Sequence, residues 1–306
     1  MKNQPEDIRF STTDLNGIYR GVVESNQDDL QYGRVQVRIF GLHTDKITKD
    51  EFEGIPTDDL PWAEPILGLI EGSISGFGLW SVPLKGSHVM VFFENGNYSQ
   101  PRYFGTVPGI PTEAPDTTVG FNDPDGTYPS TIGESDFHRL ARESSDLDWM
   151  DTKESSRKKS VSKAGGGTWD EPATAYEAVY PDNIVLATRE DLVVEMDSTP
   201  GKRRYHVFHP SNSYIEINED GRIVVRNEKD KYELVMENKN IYIEIDENKT
   251  IEGNRTEKVT TNVTVDVGND KTVTIGGDWA VTVTGDIDIT ATGDITLTGA
   301  NIHLNP

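Results

Sequence analysis

With 306 residues the chain has room for two or three modest domains, but only 34% of it is apolar, which favours an elongated or assembled protein over one large core. A net charge of -23 repels phosphates and anionic membrane surfaces, which argues against nucleic acid as a partner. Cysteine is absent, residues 1–14 lack the apolar stretch of a signal peptide, and no apolar run approaches the roughly eighteen residues of a membrane span, so disulfides, thiolate metal sites and membrane anchoring are set aside and cytoplasmic synthesis is expected.

After an N-terminal arm (1–14), residues 15–110 carry most of the aromatics and read as a compact β domain. Strand-like runs lie at 18–24, 32–40, 79–82, 88–94 and 102–107. Several alternate apolar and polar residues, as in RVQVRIF, the period-2 mark of a half-buried strand. Five short strands with glycine-rich turns predict a small barrel of the oligonucleotide/oligosaccharide-binding (OB) type. The glycines of SISGFG (73–78) precede no helix signal and read as a tight turn in that barrel. Residues 111–180 are rich in Pro, Gly, Ser, Asp and Lys and read as a linker, either an ordered crossover or partly flexible, with one short helical run at 135–142.

From residue 181 the pattern is wholly β. The runs IVLAT, DLVVEMD, RRYHVFH, SYIEINE, GRIVVRN, YELVMEN and IYIEIDE are separated by turn signals, among them Pro200-Gly201 and Asp220-Gly221. They predict a β-meander over 181–250 that leads into the tail.

The tail, 251–306, repeats every eight residues. Its blocks are GNRTEKVT from Gly253, TNVTVDVG from Thr261, NDKTVTIG from Asn269, GDWAVTVT from Gly277, GDIDITAT from Gly285 and GDITLTGA from Gly293, and the chain ends in NIHLNP from Asn301. A fixed short period marks a solenoid-like architecture. Gly and Asn tolerate positive φ, so Gly253, Asn269, Gly277, Gly285, Gly293 and Asn301 are expected as corners between short strands. Positions three, five and seven are mostly apolar and give each octad one inward face, with Val259, Val267, Ile275, Val281, Val283, Ile287, Ile289, Ile295 and Leu297 as the expected core. One such ribbon has no partner for that face and leaves both edges unpaired. A turn of a single-chain solenoid needs about twenty residues to enclose a core, so eight are too few. Three identical chains wound together bury the stripe on their axis and pair every edge. The expected fold is therefore all-β: an OB barrel, an irregular linker and a C-terminal intertwined triple-stranded β-helix in a homotrimer.

These octads resemble the three-chain β-helix of contractile-phage central spikes and the valine-glycine-repeat needle of type VI secretion systems. GRVQVRIFGLH (33–43), LPWAEP (60–65), the segment 73–96 and PRYFGTVPGIP (101–111) are similar to the OB segments of myovirus baseplate spikes. YPDNIVLAT, DSTPGKRRYHVFHPSNSYIEINEDG and YELVMENKNIYIE resemble the lead-in to the β-helix of that family. The resemblance implies a structural spike in the virion tail baseplate. Its barrel would attach to a trimeric hub protein, a proline-alanine-alanine-arginine repeat protein would sit at its C-terminal tip, and sheath contraction would drive it through the host outer envelope. Some members carry a lysozyme domain between barrel and needle; here about seventy residues of linker composition fill that interval, too few for a lysozyme core. Type VI needles usually begin with a fused hub domain, whereas this chain starts almost directly at the barrel, which favours a phage or phage-derived particle.

No catalytic residue or cofactor is expected. Glu134, Asp136 and Glu143, in the linker, could be proposed for glycoside hydrolysis, but among 52 acidic residues coincidence explains them better. No HExxH, P-loop or GxSxG motif is present. His303 would lie near a threefold axis at the tip, but some phage spikes hold iron with His-x-His, and here Asn301 stands in place of the first histidine. A docked tip protein is favoured over a tip metal. Trp62, Phe77 and Trp80 fit either the barrel core or the hub contact. The rival readings are a baseplate-associated wall hydrolase or glycan-binding protein, and a type VI needle.

Overall fold

A computed structural model describes residues 15–44, 54–68, 79–110, 112, 133, 135–142 and 159–303. The backbone divides into two units, 1–250 and 251–306. Among the described residues there is no α-helix.

The first unit opens with five strands, β1 (Ile18–Ser25), β2 (Val35–Ile39), β3 (Trp62–Pro65), β4 (His88–Phe93) and β5 (Pro101–Thr106). They close into a barrel in the order β1-β2-β3-β5-β4, with β3 and β5 parallel and β4 returning antiparallel to β1. Closure removes the free edges that such short strands would otherwise expose. Val23, Val35, Val37, Val89 and Val91 fill the interior, with Phe93 and Tyr103. Gly21 is needed for room, because a Cβ there would lie 2.5 Å from Val37 Cγ1 and 2.7 Å from the Arg38 carbonyl oxygen.

Two expectations for the barrel are corrected. Residues 79–82 form no strand; they belong to an exposed loop. Its Pro83 has no N–H for a ladder, and the Pro83 carbonyl instead accepts a bond from Asn26 Nδ2 at 3.1 Å. The missing strand is Trp62–Pro65, whose Ala63 faces the core opposite Val35. The second correction concerns RVQVRIF, whose central five residues, Val35–Ile39, are buried on both faces. Arg38 donates from Nε to Glu24 Oε1 at 2.6 Å and from Nη2 to Glu24 Oε2 at 3.0 Å, and its remaining donors reach the carbonyls of Thr44 and Ile55. Thr57 Oγ1 donates to the same carboxylate, and Gln36 Nε2 donates to the Leu60 carbonyl. A polar layer under the segment 54–60 thus covers the outer face of β2.

Where it is described, the linker is tied down. Gly109 N–H donates to Asp136 Oδ2 at 2.8 Å, and Asp136 N–H donates to the Gly109 carbonyl at 2.9 Å. The helical run expected over 135–142 is a single 3-10 turn, Arg139–Arg142, that buries Leu140 and Ala141. A hairpin follows, β6 (Ser160–Ser162) and β7 (Thr168–Asp170).

Five strands then form an antiparallel meander, β8 (Asn183–Ala187), β9 (Val193–Asp197), β10 (Arg204–His209), β11 (Ser213–Ile217) and β12 (Ile223–Arg226). Both expected turns are present, with Gly201 at φ 75° and Gly221 at φ 80°. The runs YELVMEN and IYIEIDE, expected as further meander strands, form no strand pairing among the described residues.

Two buried groups tie this fold to pH and charge. His43 Nδ1 accepts the Ile39 N–H at 3.0 Å, and its Nε2 lies 3.1 Å from Tyr98 Oη, so the neutral ring is the bonded form. Burial, and then the nearby Arg38 charge, push His43 down to about 4. A depressed histidine contributes stability that is complete above about pH 6.5 and is lost as pH falls towards 4, on the order of 3 kcal/mol at most. Urea midpoints at pH 7 and pH 4.5 should therefore differ more in the native protein than in His43→Gln. Arg38→Met should cost about 3–5 kcal/mol by leaving the Glu24 carboxylate buried without its cation. The double variant Glu24→Gln/Arg38→Met should recover most of that loss in the same denaturation measurement.

Candidate functional site

The meander sheet is inverted relative to an ordinary half-buried sheet. The face turned towards its own chain holds a charged network. Arg204 donates from Nη1 to Glu195 Oε2 and from Nε to Glu216 Oε2, both at 2.8 Å, and all three side chains are almost wholly buried. His206 Nδ1 lies 3.0 Å from Glu195 Oε2, and Asn183 Nδ2 donates to Glu195 Oε1 at 3.0 Å. Thr174 Oγ1 and the Ala175 N–H close over Glu216. Burial alone would raise Glu195, but the His206 hydrogen bond and the Arg204 charge outweigh it and hold the carboxyl at about 2. Leu140, Val193, Phe208 and Tyr214 pack beside this network under residues 135–142 and the strip before β8.

The opposite face is apolar from edge to edge. The strand registers align two rows across all five strands: Ile184, Met196, Tyr205, Ile217 and Ile223, and next to them Leu186, Val194, Val207, Ile215 and Val225. Seven of these ten side chains are exposed and the others half-buried. A continuous apolar face of this size on a single chain marks an interaction surface.

Beyond β12 the backbone stays extended. It bends at 228–229, 236–237, 244–245 and 252–253, and then every eight residues to 292–293 and 300. The eight-residue rhythm therefore starts at Lys229, three octads before Gly253. The Glu228 N–H donates to Ser213 Oγ at 3.1 Å, and among the described residues no backbone hydrogen bond involves 229–303. Amide groups are obligatory hydrogen-bonding groups, and a long extended segment that satisfies none of them internally is the open edge of an intermolecular sheet.

The expected corners and core residues fall on this rhythm as follows. Gly253, Asn269, Gly277, Gly285 and Gly293 occupy bends, and Asn301 directly follows the last one. The reason proposed for glycine there is corrected: none of these corners has a positive φ, and an added Cβ at Gly253, Gly277, Gly285 or Gly293 would meet nothing of its own chain within 4 Å. Lys229, Glu237, Ile245 and Thr261 occupy the same octad position, and β-branched residues do not suit the left-handed region. At position seven, Val235, Ile243, Ile251, Val259, Val267, Ile275 and Val283 are all 45–48% exposed. Val281, Ile287, Ile289, Ile295 and Leu297, at positions three and five, are exposed by 54% or more. Among the large apolar residues of the octads, those at position seven are thus the most sheltered even before any partner is added.

The remaining candidates are dispersed. Asp136 serves as the tie to Gly109, while Glu134, Glu143, Phe77 and SISGFG lie outside the described residues. Trp80 is exposed on the loop after 78, and Trp62 stands on β3 with the Arg34 guanidinium 5.2 Å from its ring centre. His303 is exposed, and among the described residues no group of three His, Cys, Asp or Glu side chains is placed to hold a metal ion. The charged network was not foreseen from sequence; its only signal was acidic and basic residues at alternate positions of β9, β10 and β11.

Comparison with known proteins gives the surface its context. The family model described as the Gp5 N-terminal OB domain matches residues 41–184, and that of the bacteriophage T4 gp5 C-terminal trimerisation domain matches 217–303. The chain is 33% identical over 270 residues to Protein Gp5 of Vibrio phage KVP40, covering 78% of this chain and 64% of that protein. It is 39% identical over 115 residues to the pre-baseplate central spike protein Gp5 of Enterobacteria phage T4, covering 37% of this chain and 20% of the relative. In both matches the chain spans less than two thirds of the relative's length. With an OB domain and a trimerisation domain of the Gp5 type in that order, the chain belongs to the Gp5 family.

Proposed function

We propose that the chain is the homotrimeric central spike of a contractile-phage tail baseplate, and that its work is mechanical. The observation that carries this reading is the run of nine octads from Lys229, apolar at position seven from Val235 to Ala291 and, among the described residues, without a backbone hydrogen bond of its own. Three copies wound about one axis satisfy those amides and cover position seven. The apolar sheet face of the meander offers a further surface to the same partners, and the match of 217–303 to a trimerisation domain supports the reading. Continuous interchain hydrogen bonding around a dry core gives stiffness, as in other stacked β assemblies. The barrel then serves as the collar that attaches to a trimeric hub, and the tip residues around His303 receive a proline-alanine-alanine-arginine repeat protein. On sheath contraction the trimer pierces the host outer envelope.

In this reading no side chain performs chemistry. Support comes from the described parts of 111–180, which tie the barrel to the meander and cover the charged network. The rival reading, a wall hydrolase, has a direct test: peptidoglycan zymography should show no clearing, and a clear lytic band would overturn the purely mechanical assignment.

Native mass measurement should give three times 34.0 kDa; a monomer would overturn the spike reading. Ile215→Asp with Val225→Asp should drive that trimer towards monomer, since each buried aliphatic contributes about 1.5–3 kcal/mol and a buried unpaired carboxylate opposes assembly further. Gly285→Val strains nothing within its own chain. Loss of SDS resistance in that variant would therefore come from contact with a neighbouring copy, and loss is the expected result.

A further inference from the structure

The hairpin β6–β7 is placed where no function has yet been given to it. Its root is fixed on the meander: Glu171 N–H donates to the Lys159 carbonyl, Tyr214 Oη donates to Glu171 Oε1 at 2.9 Å, and Arg226 Nη1 donates to Glu171 Oε2 at 2.6 Å. Arg226 also binds Glu228, at the first bend of the octad segment. The far end of the hairpin reaches the third octad, where Thr250 Oγ1 donates to the Ser162 carbonyl at 2.7 Å. The turn between the arms is a glycine run, Gly165, Gly166 and Gly167, with φ of 84°, 101° and 80°, a conformation that side-chain-bearing residues rarely adopt.

The dimensions agree with a brace laid along the octads. Three residues of extended arm, from Lys159 to Ser162, span about 10 Å at about 3.3 Å per residue. Two strand spacings of about 4.8 Å, the offset from the first octad to the third in a stacked β column, also come to about 10 Å. Among the described residues octad 245–252 makes no backbone hydrogen bond, and in the trimer proposed above the strands on either side of it come from other copies. Whatever lies over Thr250 lies over those copies as well.

We propose that the hairpin 159–171 is an intermolecular clasp, laid across the first octads of neighbouring copies in the trimer. The inference rests on the homotrimer proposed above. Val161 and Trp169 are direct cross-strand partners and give the hairpin an apolar face, with Trp169 exposed in the single chain. Lys159 and Lys163 bring positive charge to a stretch that carries Glu244, Asp246 and Glu247. The clasp holds the start of the intertwined segment, where three chains must first come into register.

Zero-length carbodiimide cross-linking of trimers assembled from equal amounts of 14N- and 15N-labelled full chains tests this. Cross-links from Lys159 or Lys163 to Glu244, Asp246 or Glu247 should include peptide pairs of mixed label. Pairs of a single label only would place the hairpin on its own chain and overturn the clasp while leaving the trimer intact. A monomeric mass before cross-linking would instead remove the trimer itself. Trp169→Ala should lower the temperature at which SDS-resistant trimer dissociates by at least about 3 °C. An unchanged temperature would also count against the clasp.

Discussion

The backbone of residues 227–303 sets the terms for everything else in this chain. Apart from the Glu228 N–H, which donates to Ser213 Oγ, its amides have no hydrogen-bond partner among the described residues of the chain. An amide left unpaired away from water costs as much as a lost hydrogen bond, so this segment is either fully hydrated or paired with other chains. The apolar residue at position seven of successive octads decides between the two. A hydrated ribbon would gain nothing from a valine or isoleucine recurring at one sheltered place every eight residues. A wound assembly buries each of them and pairs the amides in the same step.

The charged network of the meander belongs to the same arrangement. Glu195, Arg204, His206 and Glu216 occupy the face that an isolated domain would fill with apolar side chains. Buried ion pairs are weak sources of net stability, because desolvation offsets much of their attraction. Their directional bonds do fix which face of the sheet turns towards its own chain. Reversing the sheet would bury the isoleucine face and expose the ions, and Thr174, Ala175 and Asn183 would lose their partners. The network thus commits the apolar rows to the outside, where only another molecule can cover them.

Much of this was legible in the residues. The barrel class followed from short alternating strands, and the assembled needle followed from a period too short to enclose a core. Strand β3 was not legible, because four residues ending in Pro65 carry no alternation. Leu79 to Val82 imitated a strand through composition alone. Burial of Gln36 and Arg38 depends on Glu24 and on the carbonyls of Thr44, Ile55 and Leu60, partners outside the strand that no local period announces. The start of the octads at Lys229 was hidden for a related reason. Lys229, Glu237 and Ile245 replace the glycine that marks later corners, and only the recurring bend identifies them.

That substitution pattern also changes what glycine does in the tail. Because the bend is adopted equally by Lys, Glu, Ile and Thr, the local conformation does not require glycine, and nothing in the same chain crowds its Cβ. The remaining pressure comes from neighbouring copies. Glycine occupies the corner at 277, 285 and 293, towards the chain end, where position seven also shrinks from Val283 to Ala291 to Gly299. Both changes remove side-chain volume at fixed places in the last octads. Three chains wound on one axis have less side-chain volume to accommodate there than at Ile243 or Ile251, because residues lose side chains and none gains one.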